Sequence, residues 1–322
     1  MVGLLSDDRP DEARSGVALP DDLPLVSILT PSFDQGRFLR DCLDSVARQT
    51  YPRVEHVVVD GGSTDESLQI LAESGDSVRW TSEPDRGQAD AVNKAFEASA
   101  GEIVGWVNSD DGLFAVDTIE RVVAAFAAHP EAGVLYGDAA LVDESGRIVR
   151  HHRSRWPAGS LPFFSPLVQP AAFFRRSVIE PDEPLLRVDL HSFLDYELWL
   201  RLRNRGVPFV HLPAVLAVDR DHPQRKVRTT DEVFIRESTQ LVEEYGPVFG
   251  LPRLRRARGL LWRMRGLASV WSWDGHEPAF PWRTDGRLRR VVRQVARLDP
   301  VQLTAEQRQF GREVADVKRR LS

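Results

Sequence analysis

A chain of 322 residues, 42% hydrophobic and 28% charged, is long enough for one large domain or two smaller ones, and its composition excludes a fibrous or wholly disordered protein. The net charge of -6 is unevenly spread: Asp7, Asp8, Asp11, Glu12, Asp21 and Asp22 crowd the first 25 residues, whereas 253–321 is arginine-rich. A single cysteine, Cys42, excludes an intrachain disulfide and a cysteine-based zinc cluster, fits a reducing compartment and reads as a packing residue.

Residues 1–23 mix Asp, Arg, Pro and Gly without periodicity and are expected to form a flexible tail. They lack the basic start and long apolar core of a signal peptide, and no stretch approaches about 18 uncharged apolar residues. A cytoplasmic chain is expected, with peripheral contact at the inner face of a membrane as the remaining membrane role.

From Pro24 the pattern becomes regular. "LVSILTPSF" reads as a strand, and "QGRFLRDCLDSVARQ" repeats apolar residues at Phe38, Leu39, Cys42, Leu43 and Val46, the spacing of a helix. "VEHVVVDGGSTDESLQIL" repeats the unit: a strand over Val54–Val59, a turn at Gly61-Gly62, and Ser63-x-x-Glu66 as a capping box opening a helix through Leu68 and Leu71. "VRWTSEP" predicts a third strand, "GQADAVNKAFEASAG" a third helix and "EIVGWV" a fourth strand. Successive βα units of this kind imply a largely parallel sheet with its functional loops at the strand C-termini. The pattern then turns α+β. "VDTIERVVAAFAAHP" is helical, "AGVLYGDAALVDESGRIV" is a hairpin turning at Glu144-Ser145-Gly146, "LHSFLDYELWLRLRNRG" is a helix ending at Gly206, and "VPFVHLPAVLAVDRDHP" returns to strand. "RLRRVVRQVARL" and "AEQRQFGREVADVKRRL" are amphipathic helices near the C-terminus.

Acidic residues fall at the ends of three predicted strands: Asp60, Asp85, and Asp110 with Asp111. Each reads alone as a turn former or helix cap. Together they can line one crevice, where carboxylates that would repel each other are reconciled by a hard cation such as Mg2+ or Mn2+ carrying a diphosphate. The G-x-G-x-x-G spacing of a dinucleotide site and the G-x-x-x-x-G-K-[ST] phosphate loop are both missing.

"VSILTPSFDQGRFLRDCLDSVARQTYPRVEHVVVDGGSTD", "EPDRGQADAVNKAF", "GEIVGWVNSDD" and "FLDYELWLRL", in that order over about 24–225, resemble the successive motifs of family 2 glycosyltransferases. The resemblance implies an α/β fold of the GT-A, Rossmann-like type: a mixed sheet flanked by helices over 24–225, followed by a helical, Arg-rich extension over 226–322. It also implies a nucleotide-sugar donor, UDP-linked by family habit, a divalent ion (Mn2+ or Mg2+), and inversion at the anomeric carbon by direct displacement. Pro31, Phe33 and Asp60 match positions that hold the nucleoside, with Asp60 at the base; Asp85, Arg86 and Gln88 match the loop near base and donor sugar. "NSDD" matches the Asp-x-Asp segment, with Asp110 as metal ligand and Asn108 in place of the first carboxylate, a change that removes one charge. His222 matches a late histidine that completes the metal or diphosphate site in some members.

Asp195 matches the catalytic base and reads equally as a helix cap; Glu197 is the neighbouring alternative. Gln169, in "LVQPAAFFRR", and Trp199 are the candidate acceptor-side residues. Trp199, Trp156 and the group in "VWSWDGHEPAFPW" read either as sugar platforms or as core. Expected acceptors are a glycan, a lipid-linked glycan or a small molecule. Arg289, Arg293 and Arg297 line one face of a C-terminal helix, but no nucleic-acid motif accompanies them, so nucleic acid is not an expected partner. Solvated surface with a homodimer contact, or anionic lipid, accounts for that face. Two rivals to the transferase are a catalytically weak nucleotide-sugar-binding scaffold and a nucleotidyltransferase; "LTPSFDQGR" lacks the Gly-rich, Lys-bearing loop of the latter.

Overall fold

The structure is a computed structural model that describes residues 22–154, 161, 165, 167–225 and 231–245. The expected tail up to residue 21, Trp156, the tryptophans of 270–282, and the amphipathic helices over 287–298 and 305–321 with their arginines lie outside the described residues.

The predicted βα units are present: β1 (Val26–Ser32), α1 (Gly36–Ala47), β2 (Val54–Asp60), α2 (Ser67–Glu73), β3 (Arg79–Ser82), α3 (Gln88–Ala98) and β4 (Ile103–Trp106). β1 pairs in parallel with β2 and β4, and β2 with β3. α1 buries Phe38, Leu39, Cys42, Leu43 and Val46, the stripe its 3.6-residue period marks. Burial pushes the Cys42 thiol well up, so it packs as a neutral apolar group.

Next come β5 (Gly112–Leu113), α4 (Thr118–Ala128), β6 (Val134–Val142), β7 (Ile148–His152), β8 (Ala172–Arg175), α5 (Leu194–Asn204), β9 (Phe209–Arg220) and α6 (Asp231–Tyr245). The sheet runs β3-β2-β1-β4-β8-β6-β9-β5, with β7 also on β6. β8 is antiparallel to both β4 and β6 and joins the parallel half to the rest. Gly105 permits that junction, because a Cβ there would lie 2.7 Å from the Phe173 ring. β9 runs parallel to β6 and carries the chain back to the end of β4, where the site lies.

Two expectations are corrected by packing. The capping box at Ser63 does not form. α2 begins at Ser67, with Glu66 at its N-cap and no side-chain cap, and Asp65 shapes the entry turn, one carboxylate oxygen accepting from the Ser67 N–H at 2.9 Å and the other from the Gly36 N–H at 2.8 Å. The Ser63 hydroxyl is drawn away because it donates to the buried Asp60 carboxylate.

Trp199, expected on the acceptor side, is 2% exposed, with its ring centroid 6.3 Å from Phe174 and 6.4 Å from Phe209. It fills the main core and offers a ligand no face. Trp199→Ala is expected to cost about 3–5 kcal/mol in denaturant unfolding. Trp199→Phe should keep donor binding at the wild-type level, and loss of binding in that milder variant would return the residue to the site.

His56 on β2 is buried beneath the site, 2.9 Å from the Thr30 hydroxyl. Burial lowers its pKa from 6.5 to about 4, so the folded chain keeps it neutral where the unfolded chain protonates it. Its stabilising effect is therefore complete above pH 6.5 and is lost as pH falls toward 4. His56→Phe should lower the number of protons taken up on unfolding in that window by about one, measurable from the pH dependence of the unfolding free energy.

Candidate active site

Parallel register brings Ser32, Asp60 and Ser82 to one level at the C-terminal edge of β1, β2 and β3. Asp60 is fully buried. Its carboxylate accepts from the backbone N–H of Gly62 (3.1 Å) and Ser63 (2.8 Å) and from the hydroxyls of Ser63 and Ser82 (2.8 Å). The expected direct contact of Asp60 with a base is thus modified: its oxygens already shape the 60–63 loop, and a base could reach one only if a serine hydroxyl gave way.

Pro31 is likewise buried, paired with Val59, and seats the next turn without presenting surface. Phe33 is the exposed member of this group, with 59% of its surface open. Its ring and the Asp85 carboxylate both crowd Gly61, where a Cβ would stand 2.7 Å from Asp85 Oδ2 and 3.2 Å from Phe33 Cδ2. Gly61 therefore allows an aromatic face and a carboxylate to share one corner.

Asp85 accepts from the Gly87 N–H at 2.7 Å and so forms the turn that starts α3. Arg86, its side chain 74% exposed, is steadied by Asp90, which takes the Arg86 guanidinium at 2.7 Å and its backbone N–H at 3.2 Å. The Arg86 hydrogen bond holds the Asp90 carboxyl below its usual range.

Gln88 leads to the centre of the site. Its Nε2 donates to Asn108 Oδ1 at 2.8 Å, and the Trp106 indole N–H donates to the same oxygen at 2.8 Å. An indole N–H can only donate, so that face of Asn108 is its oxygen, and the Nδ2 faces Asp111 Oδ2 (3.2 Å) and Gln169 Oε1 (3.0 Å). Gln169 Nε2 donates in turn to the Trp106 carbonyl. An amide suits this position for a physical reason: it accepts on one side and donates to a carboxylate on the other, which aspartate cannot do. Gln88, Asn108 and Gln169 thereby form one chain of amides from the start of α3 to the segment before β8.

Beyond Asn108 the carboxylates gather. Asp111, 6% exposed, accepts from the Arg220 backbone N–H at 3.0 Å. Burial, then the charges of Asp110 and Asp219, push its carboxyl well above the ordinary range. Burial also raises Asp219, which pairs with Arg225. Arg220 spans the cluster, donating to the Asp110 carbonyl at 3.0 Å and to the Asp41 carboxylate at 2.9 Å.

Asp110 Oδ2 lies 2.9 Å from Nε2 of His222, which is 2% exposed. The His222 ring packs against Phe38 with centroids 4.9 Å apart, and its Nδ1 faces the Arg37 guanidinium at 3.3 Å. Nδ1 thus lies between the Arg37 guanidinium, a donor, and Gln224 Oε1, an acceptor 3.4 Å away. The structure therefore brings Asp110 and His222 together, as expected, although 112 positions separate them. Among the described residues no group of three or more His, Cys, Asp or Glu side chains is arranged to hold a metal ion.

Asp195 is half-buried in the first turn of α5, where the helix dipole favours a carboxylate. Its alternative, Glu197, is fully buried, 3.2 Å from Arg201 and bonded by the Tyr245 hydroxyl, so it belongs to the packing beneath the helix. Sequence reasoning missed Arg37, Asp90 and Arg220, which steady His222, Arg86 and the carboxylate cluster. Arg37 and Asp90 stand inside quoted motifs, yet only their partners, distant or a turn away, disclose what they hold.

Residues 27–182 match the model of the family described as Glycosyl transferase family 2. The PGL/p-HBAD biosynthesis glycosyltransferase of Mycobacterium tuberculosis is 33% identical over 163 residues, 48% of this chain and 60% of that protein. The O-antigen biosynthesis protein RfbC of Myxococcus xanthus is 33% identical over 220 residues, 63% of this chain and 16% of that one. The chain thus spans well under the full length of these relatives.

Among solved structures, the mannosyltransferase PcManGT from Pyrobaculum calidifontis in complex with GDP-Man and Mn2+ aligns with a TM-score of 0.57 at 20% identity, over 94% of this chain and 89% of that one. S. aureus TarS 1-349 in complex with UDP-GlcNAc aligns with a TM-score of 0.55 at 18% identity, over 74% and 70%. At these identities the likeness concerns the fold, which is GT-A. Asp60, Asp85, Asn108, Asp110 and Gln169 all lie within the stretch 27–182 that matches glycosyl transferase family 2.

Proposed function

We propose that the protein is an inverting glycosyltransferase that moves a sugar from a nucleotide-diphosphate donor, a UDP-sugar in the favoured case, to an acceptor hydroxyl, with Asp195 as general base. The observation that carries this reading is the convergence of the Phe33 and Asp85 corner, the amide chain through Asn108 and the Asp110–His222 pair along one edge of the sheet. Ligands of open α/β sheets bind at such edges.

The open Phe33 ring offers a stacking face to the base, and the 60–63 loop walls it. Arg86, steadied by Asp90, offers charge to the diphosphate or the sugar. A divalent ion, Mn2+ or Mg2+, fits Asp110 and His222 as a partial ligand set. Such an ion would be held by an Asp110 carboxylate oxygen and by His222 Nε2, which lie side by side. For His222 to serve as a ligand its Nε2 must be free of a proton, with the ring proton on Nδ1 facing Gln224 Oε1 at 3.4 Å. When bound, such an ion would supply positive charge to offset that of the departing diphosphate.

The acceptor oxygen attacks the anomeric carbon as the bond from that carbon to the diphosphate breaks, and its proton passes to Asp195. Gln169, joined to the donor side through Asn108, is the acceptor-side contact. A glycan, a lipid-linked glycan or a small molecule remains the acceptor class. Among the described residues no helix is long and apolar enough to cross a membrane.

Asp195→Asn is expected to abolish transfer while leaving donor binding within about tenfold, because the base acts in the transition state and hardly in donor binding. Calorimetry would check the binding; a large loss would contradict the role. Asp110→Ala should weaken donor binding with Mn2+ present and change it little with chelator. Equal metal dependence in both proteins would remove Asp110 from the site, and no binding of UDP-, GDP- or dTDP-sugars to folded wild-type protein would overturn the transferase reading.

Asn108→Asp replaces two donated hydrogen bonds with a carboxylate facing Asp111. A loss of about 1–3 kcal/mol in unfolding free energy is expected from the unsatisfied pair. Unchanged stability would argue against the amide chain.

A further inference from the structure

α6 lies beyond the segment that matches the family, and it closes on the N-terminal end of α5, the helix that carries Asp195. At the N-cap of α5 stands Phe193, buried, its ring centroid 6.0 Å from that of Tyr196 and without an oxygen to offer the first amides. An acceptor arrives from far along the chain. Glu237 of α6 is 1% exposed, and its carboxylate accepts from the backbone N–H groups of His191 (2.8 Å), Ser192 (2.8 Å) and Phe193 (3.3 Å).

Burying a carboxylate is expensive unless donors surround it, and here three backbone donors and the positive end of a helix do so. α6 is held in place around this contact. Leu241 enters the main core, the Tyr245 hydroxyl donates to Glu197, and Glu244 pairs with Arg187 at 2.6 Å. Asp195 follows Phe193 by two residues, so the backbone that aims Asp195 is the backbone that Glu237 holds.

We propose that Glu237 is a positioning residue for the general base: by gripping residues 191–193 it sets where the Asp195 carboxylate stands. This makes α6 a working part of the active site, and it rests on the reading of Asp195 as the base. Glu237 touches neither donor nor acceptor in this account and acts only through α5.

The test uses the full chain carrying Glu237→Gln, which keeps the size of the side chain but turns one accepting oxygen into an NH2 group facing backbone N–H donors. The expected result is a fall in kcat of about 10- to 100-fold, the scale of a small misplacement of a reacting group. KM and Kd for the donor should stay near wild type, and hydrogen exchange at the amides of 191–193 should quicken. Leu241→Ala is the control, since it loosens the same helix in the core without touching that contact; it should lower Tm and spare most of kcat.

Wild-type kcat in Glu237→Gln would overturn the proposal, as would an equal loss of kcat in Leu241→Ala at matched Tm. If Asp195→Asn still transfers at the wild-type rate, the base assignment fails. Exchange at 191–193 then judges the grip separately: faster exchange in Glu237→Gln supports it, and unchanged exchange overturns it.

Discussion

Packing carboxylates against one another at the end of a buried strand is unfavourable, and the site is organised around offsetting that cost. β4 delivers Asp110 and Asp111 to a place where Asp219 is also buried, so that burial and mutual repulsion raise Asp111 well above its usual range. Every neighbour reduces the penalty: Arg225 against Asp219, the Arg220 backbone and the Asn108 amide on Asp111, and His222 on Asp110. A strand ending in two adjacent carboxylates is thereby tolerated, with Asp110 the one left beside an imidazole at the edge of the crevice.

The same compensation links the two sides of the site. Asn108 bonds Asp111 through its NH2 group and takes Gln88 and the Trp106 indole on its oxygen. The NH2 group also reaches Gln169. A carboxylate at position 108 would add charge to a cluster that already carries too much and would leave Gln169 without that donor. Neutral Asn108 costs the site one negative charge and in return joins the start of α3 to the segment before β8. Asn93, further along α3, strengthens the coupling by exchanging two 2.8 Å hydrogen bonds with the backbone of Leu186, in the stretch that leads to α5.

Much of this could be read along the chain. The apolar period of α1 named its buried face, the β-branched runs named β1, β2 and β4, and the acidic residues after those runs marked where loops converge. Errors arose where two groups competed for one partner. Ser63 has the spacing of a cap, but Asp60 takes its hydroxyl, and Asp65 shapes the turn into the helix. Trp199 sits near Asp195 in sequence, yet its helix turns it into the core beside Phe174 and Phe209. Asp60 was legible as a strand-end acid; that its oxygens are spent on their own loop was not.

What the sequence determined by itself was local: periodicity places elements, and motif order places Asp60, Asp85, Asn108 and Asp110 at strand ends because side chains in one element share a fixed geometry. What only the tertiary structure decided was which charge meets which. His222 reaches Asp110 because β9 runs parallel to β6 and returns to the end of β4, and Glu237 reaches the start of α5 because α6 packs on that helix. Pairings of this kind depend on how distant elements fold over one another, and no period or spacing along the chain encodes the distance between their side chains.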